Sequence, residues 1–298
     1  MRGRKHRLTP RREQRTKAWR FTDSDRKVLE CLARYRYLRS SSVGLLTGLP
    51  ERTRNYSLRK LFDRRLLDKP KSQAIGYNSL NDPDIYEITQ KGSEYLTRHY
   101  PETTNLIRHR GDMPVKQFRH AMMICDTLSA IEAGATQAGY RFISAGEIIE
   151  RSPVERPMKL SAWLRGKQVS FIPDGMFGLA KDDNYQLFFL EAEHYNPLKP
   201  KKLNRASFYK KILLYGSLSE TDTLKRFGKK RFRTLFVFPN KTRSENAQAI
   251  VAEEYKQSAM FLMTHVPIQE ERFEAPEPFP ELFTVPWLRG GLEPKTLV

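Results

Sequence analysis

Apolar positions along the chain follow two periods, and the change from one to the other divides it. In the first third they recur at helical spacing. Thr22-Asp23 offers an N-cap ahead of Val28, Leu29, Leu32 and Ala33, and Val43, Leu45 and Leu46 form a second short helix from Ser41 to Thr47, stopped by Gly48. Leu58, Leu61 and Phe62 are the buried stripe of a third helix, Glu51 to Leu66. Ile85 to Ile88 then alternates as a short strand, and Thr89, Lys91 and Gly92 open another helix ending near Leu96. A longer helix is expected from Val115 to Ala135, with Phe118, Met122, Cys125 and Leu128 on one side.

Beyond it the pattern turns to short apolar runs. Val169 to Leu179 and Leu187 to Leu190, separated by the polar Lys181 to Asn184, predict a hairpin. A helix from Arg205 to Leu218, a buried strand from Arg233 to Pro239, a helix from Ser244 to Gln257 and a strand from Met260 to His265 follow. The order α, β, β, α, β, α, β over residues 115–290 predicts an α/β (α+β) protein with a mixed sheet flanked by helices. Residues 150–167, with Pro153, Pro157 and Gly166, read as a basic loop before the hairpin, residues 100–114 as a linker, and 291–298 as a tail.

Charge narrows the partners. The chain has 298 residues and a formal net charge of +19, from 53 Lys and Arg against 34 Asp and Glu, which suits a polyanion such as nucleic acid. Residues 1–20 hold nine of these basic side chains and a single Glu, a nucleic-acid arm by composition; a solubilising tail and an organellar transit peptide are the other readings. Cys31 and Cys125 fall in apolar helical patterns, without zinc spacing, and read as reduced core residues. No apolar run approaches the ~18 residues of a membrane span, so a cytoplasmic protein with no membrane partner is expected.

In the third helix, Arg52, Arg54, Asn55, Tyr56, Arg59 and Lys60 surround the apolar stripe and supply donors for phosphates and base edges. Lys71 adds to them from the basic stretch Lys69 to Asn81, which with Leu66-Leu67 and Ile85 to Ile88 reads as a two-stranded wing. Leu58-Arg59-Lys60-Leu61 and the closing Ile85-Tyr86-Glu87-Ile88-Thr89-Gln90-Lys91-Gly92 resemble a winged helix-turn-helix domain over residues 21–99. That resemblance implies binding to double-stranded DNA.

The candidate chemistry lies in the hairpin. Glu191 and Glu193 share a strand face, and pairing can bring Asp174 beside them. Converging carboxylates repel unless a cation or proton compensates, and a hard divalent metal held by Asp174 and Glu191 is the usual remedy. Pro173-Asp174, sixteen intervening residues and Glu191-Ala192-Glu193 resemble the PD-(D/E)XK restriction-endonuclease-like superfamily, with Glu193 where its Lys normally stands. The resemblance implies a domain over residues 115–290 using Mg²⁺ or Mn²⁺, with Asp174, Glu191, Glu193 and a lysine as catalytic residues. Lys210 and Lys211 of the following helix are candidates for that lysine, and Lys211 is assigned the developing phosphate charge. Glu132 or Glu147 could add an acid, although a solvent-facing role suits either better, and His194 is a weaker candidate.

Taken together, the closing motif, Phe118-Arg119-His120, Pro173-Asp174, Phe188 to Glu193, Lys211 with Tyr215, Leu235 to Pro239 and Trp287 resemble the replication-relaxation family over about residues 20–290. This implies DNA work on plasmids or other mobile elements. Three functions follow as expectations: a metal-dependent endonuclease that binds DNA; a non-catalytic regulator, or a replication or mobilisation factor, in which the nuclease fold serves dimerisation or partner binding; and an RNA-binding or ribosome-associated protein. A homodimer is one arrangement the second expectation allows.

Overall fold

The computed structural model describes residues 12–13, 19–76, 84–102, 113–154, 158–182, 184–194, 196–199, 207–218, 222–227, 231–266 and 279–298. Most of the basic arm, most of the linker and the far part of the expected wing lie outside the described residues. The chain divides into two compact units at Ala133 and Gly134, with Pro280–Val298 in the second. Among the described residues, no helix is long and apolar enough to cross a membrane.

The first unit begins with α1 (Asp23–Arg34), α2 (Ser40–Thr47) and α3 (Glu51–Asp63). Thr22 caps α1 by accepting the Asp25 N–H while the Asp25 carboxylate accepts the Thr22 N–H, so two end donors are satisfied reciprocally. Gly48, at φ 64°, ends α2 in the left-handed conformation that glycine adopts without steric cost. Val28, Leu29, Leu32, Val43, Leu58, Leu61 and Phe62 form the shared core. Three short strands, β1 (Leu38–Arg39), β2 (Leu67–Asp68) and β3 (Ile85–Ile88), pair antiparallel in the order β1-β3-β2.

Two expectations change here. The stretch after β2 turns directly into the helix α4 (Lys71–Gly76), not an extended wing strand, and residues 77–83 lie outside the described residues. After α5 (Gln90–His99), the long helix α6 (Val115–Gln137) belongs to the first unit as far as Ala133. Its Phe118, Met122 and Cys125 cluster with Tyr37 and Ile85, and its Asp126 pairs with the buried Arg39 at 3.2 Å. The boundary therefore falls inside this helix and not in residues 100–114.

The second unit is built on a seven-stranded mixed sheet in the order β12-β11-β10-β9-β8-β7-β4. Its strands are β4 (Arg141–Ile143), β7 (Gly175–Lys181), β8 (Asn184–Ala192), β9 (Phe232–Phe238), β10 (Phe261–His265), β11 (Trp287–Arg289) and β12 (Leu292–Lys295). Helix α7 (Ala145–Glu150) follows β4. β7 and β8 are the expected antiparallel hairpin, whereas β8, β9 and β10 run parallel through crossovers that carry α8 (Phe208–Leu218) and α9 (Lys241–Tyr255). β8 is apolar throughout its centre because both its faces are buried. Phe189 packs with Tyr215 and Phe232, while Phe188 stacks on Phe177. Burial of each such ring contributes about 1.5–3 kcal/mol.

The run Val169 to Leu179 is not one strand. It breaks at Ile172–Asp174, where Pro173 has no N–H to give a ladder. Its first half is β6 (Lys167–Phe171), which pairs with β5 (Leu160–Leu164) in a separate two-stranded sheet. The stretch read as a basic loop therefore contains a strand. Residues 291–298 are no tail either, since β12 closes the edge of the sheet and Leu297 is fully buried.

Candidate functional site

The end of β8 places two acids on one side. Glu191 lies in the strand, and Glu193, two residues on, keeps the alignment because its N–H donates to Val237 O at 2.8 Å. Gly175 pairs with Leu190, so Asp174, immediately before β7, falls beside Glu191. Its Oδ2 accepts the Ala192 N–H at 2.9 Å, which ties the Pro173 break to the end of β8.

Helix α8 returns over this end with Lys211 and Tyr215 one turn apart. The Lys211 Nζ stands 2.5 Å from Glu191 Oε2, 2.7 Å from Glu193 Oε1 and 3.7 Å from Asp174 Oδ2. Of the two candidate lysines, Lys211 is the one that reaches the acids. The Tyr215 hydroxyl donates to Glu191 Oε1 at 2.5 Å. Sequence reading singled out Asp174, Glu191, Glu193 and Lys211 but gave Tyr215 no role at the site. Its position four residues after Lys211 is the signal that would have found it.

Access is one-sided. Glu191 and Glu193 are 2% and 0% exposed, whereas the Asp174 and Lys211 side chains each keep 21%, so solvent or a ligand reaches the cluster past these two. Burial pushes the Glu191 carboxyl up to about 8; the Lys211 ammonium opposes the rise and the Asp174 charge adds to it. Burial by itself would lower Lys211, but Glu191, Glu193 and Asp174 together hold it above the usual lysine range. Burial also keeps Tyr215 protonated and hence a donor.

The Lys211 ammonium stands at ion-pair distance from Glu193 without hydrogen-bond alignment, so both Glu193 oxygens lack a hydrogen bond among the described residues. Buried acceptors in that condition suit a cation or an ordered water. All the acidic donors are carboxylate oxygens, the type that Mg²⁺ and Mn²⁺ prefer. Among the described residues, no group of three or more His, Cys, Asp and Glu is drawn together closely enough to hold a metal ion. In the cluster, the ammonium stands between the acids. Asp174 and Glu191 offer the donor type that a hard cation takes, and the Lys211 ammonium stands against both.

The other candidates sort by environment. Glu132 is buried, accepting from the Tyr35 hydroxyl and pairing with Arg34 at 2.7 Å, so the solvent-facing reading fails for it. Glu147 completes a capping box with Ser144 at the start of α7. His194 is half-buried just past Glu193. Cys31 and Cys125 are free and buried, as expected.

On α3, Arg52, Asn55, Tyr56 and Arg59 are exposed at positions i, i+3, i+4 and i+7, a single stripe, with Tyr56 57% exposed. Two expected members leave that stripe. Lys60 is buried, paired with the fully buried Asp25 and donating to Arg20 O at 3.3 Å. Arg54 is half-buried, lying where a side chain on Gly44 of α2 would be, and donates to Asn55 Oδ1 at 3.0 Å. Lys71 is exposed at the start of α4. The inner end of the arm lies against the same helix. Arg12 donates to Phe62 O and to Asp68, its guanidinium is 4.0 Å from the Phe62 ring centroid, and Glu13 pairs with Arg59.

Comparisons of the chain with protein-family models, with curated proteins and with solved structures find no match.

Proposed function

We propose that this chain binds double-stranded DNA through its first unit and cuts or nicks a DNA strand at the Asp174 cluster of its second, with Mg²⁺ or Mn²⁺. The observation that carries the reading is the meeting of Asp174, Glu191, Glu193 and Lys211 at the end of β8, open to solvent past Asp174 and Lys211. Carboxyl ends of parallel strands are where open α/β sheets commonly receive ligands. The resemblance to PD-(D/E)XK proteins supports it, as do the three-helix order with paired strands in the first unit and the resemblance to the winged helix and replication-relaxation families.

In this reading Asp174 and Glu191 hold the cation. When bound there it supplies Lewis acidity and a more acidic water. Glu193, whose carboxylate oxygens have no hydrogen bond among the described residues, would orient the attacking water and accept its proton. Lys211, turned from the carboxylates toward the phosphate, offsets the negative charge that develops in the transition state. Tyr215 fixes the Glu191 carboxylate through its hydroxyl bond to Oε1, and Asp174 and Glu191 would hold the cation. The α3 stripe of Arg52, Asn55, Tyr56 and Arg59 supplies contacts to phosphates and base edges.

The test is incubation of supercoiled and linear DNA with the protein and Mg²⁺ or Mn²⁺. Nicking or cutting by the parent chain that is lost in Asp174→Ala is expected, and cleavage retained in the variant overturns the assignment.

A second reading is favoured by one observation, the Lys211 ammonium lying among three carboxylates and neutralising much of their charge without a metal. There the cluster is structural and the protein is a non-catalytic regulator or replication factor. It predicts DNA footprints that need no metal and are unchanged by Asp174→Ala, and no cleavage under any metal.

A further inference from the structure

The hairpin of β5 and β6 leads directly into the Asp174 cluster, yet the proposed chemistry makes no use of it. Its register pairs Leu164 with Lys167, Trp163 with Gln168 and Ser161 with Ser170. Side chains alternate, so one face carries Leu160, Ala162, Val169 and Phe171, which pack into the core of the second unit. The other carries Ser161, Trp163, Gln168 and Ser170, with Ile172 just beyond. That outer face holds two large apolar side chains left in solvent, Trp163 at 57% and Ile172 at 67% exposed.

Three features make this face a built surface. The Trp163 backbone N–H donates to Ser217 Oγ on α8 at 3.1 Å, and the inner face is anchored by Leu160 and Ala162, so the strand that carries the indole is held in place. The turn places Arg165 and Gly166 in succession at φ 49° and 74°, the two left-handed residues of a tight type I′ hairpin, and leaves Arg165 and Lys167 exposed at the tip. From Leu160 to Phe171 there is no acidic residue. The outer face thus combines one indole with amide and hydroxyl groups, and the basic side chains stand beside it at the hairpin tip.

We propose that this face is a stacking platform for an unpaired DNA strand, and that the substrate class of the Asp174 cluster is DNA with a single-stranded segment. The inference rests on the reading of that cluster as a DNA-cleaving site. An indole on an open strand face receives a base only when the π-face of the base is free, which a paired duplex does not offer. The Ser161 and Ser170 hydroxyls, hydrogen-bonded to each other at 3.1 Å, and the Gln168 amide present polar groups beside the ring, and Arg165 and Lys167 at the tip meet the strand's phosphates. Gln168, opposite Trp163, precedes Asp174 by six residues, so the platform lies within about 20 Å of the carboxylates. A strand stacked on Trp163 is thereby led along β6 toward Asp174. Ile172, the last exposed side chain before Pro173, is placed to keep the neighbouring base unstacked.

A dye-labelled sequence in three forms tests this without divalent metal: fully paired duplex, duplex with a central mismatched bubble, and single strand. Trp163→Ala is expected to weaken bubble and single-strand binding about tenfold and duplex binding less than twofold, with Trp163→Phe close to the parent. Adding the single strand should quench indole emission in the parent and not in Trp163→Ala, since Trp287 is buried and Trp19 half-buried. Equal affinities of parent and Trp163→Ala for all three DNAs, or equal losses on all three, overturn the platform while leaving DNA binding intact. A dimer by light scattering that Trp163→Ala dissolves, with strand affinity unchanged, overturns it in favour of a protein contact. Absence of binding to every DNA form removes the DNA reading itself, and the platform with it.

Discussion

Lys211 sets the electrostatics of the candidate site, because its ammonium is placed among Asp174, Glu191 and Glu193. Removing one partner of a buried charge group leaves the others uncompensated, which typically costs about 3–5 kcal/mol. Lys211→Met should lose stability on that order in urea denaturation at neutral pH. A Lys211→Met midpoint equal to the parent's at neutral pH would show that the cluster is neutralised in another way. Glu191 gives a pH dependence of defined sign. Its folded carboxyl, at about 8, lies above its ordinary 4.5, so the folded state binds the extra proton between those values. The stability it contributes is full below about 4.5 and is lost as pH rises through about 8, by on the order of a few kcal/mol. Glu191→Gln should flatten that decline when urea midpoints are compared at pH 5.5 and 8.5. On α3 the neighbours Arg59 and Lys60 should part company. Lys60→Met breaks the buried pair with Asp25 and should cost about 3 kcal/mol, whereas Arg59→Ala should change stability by less than about 0.5 kcal/mol.

At this scale the acids were legible, since two residues on a strand share a face and the spacing to Asp174 suits a hairpin. The burial of Lys60 was not, because its partner Asp25 comes from another helix and local periodicity carries no trace of it. The bond from Tyr215 was overlooked, because the residue stood out as apolar spacing on α8 and its place one turn after Lys211 was given no weight.

Among elements, the sequence disclosed which faces are apolar more readily than what covers them. Helix α6 shows this best: its Phe118, Met122 and Cys125 stripe was read correctly, but the stripe packs on Tyr37 and Ile85 of the first unit. The β5–β6 hairpin was read only in part, because Pro153, Pro157 and Gly166 mask β5, and Ser161 and Gln168 interrupt the apolar runs. The closing strand β12 was hidden by its exposed, charged composition. The junction of β3 with α5 gives a test of element packing. A Cβ on Gly92 would stand 2.2 Å from Leu66 O and 2.8 Å from an Ile88 side-chain carbon, so the helix start must move off the backbone. Gly92→Ala should therefore destabilise by about 1–3 kcal/mol, despite alanine's better helix propensity, as read from thermal unfolding. An equal or higher Tm would mean that α5 does not approach Leu66 so closely.

For the whole molecule, the excess of 53 basic over 34 acidic residues makes any DNA complex strongly salt-dependent. Arg59→Ala should weaken duplex binding across sequences and lower the slope of log affinity against log salt by about 1. That change belongs to the exposed α3 stripe and should be independent of the Asp174 cluster, which is carried by the other unit. Uptake of a divalent cation by Asp174 and Glu191 is read by Mn²⁺ titration followed by electron paramagnetic resonance in the presence of DNA. Mn²⁺ bound to the parent chain and lost in Asp174→Asn is expected, with proton release on binding as Glu191 ionises. Mn²⁺ uptake that is absent from the parent, or the same in the variant, would contradict it.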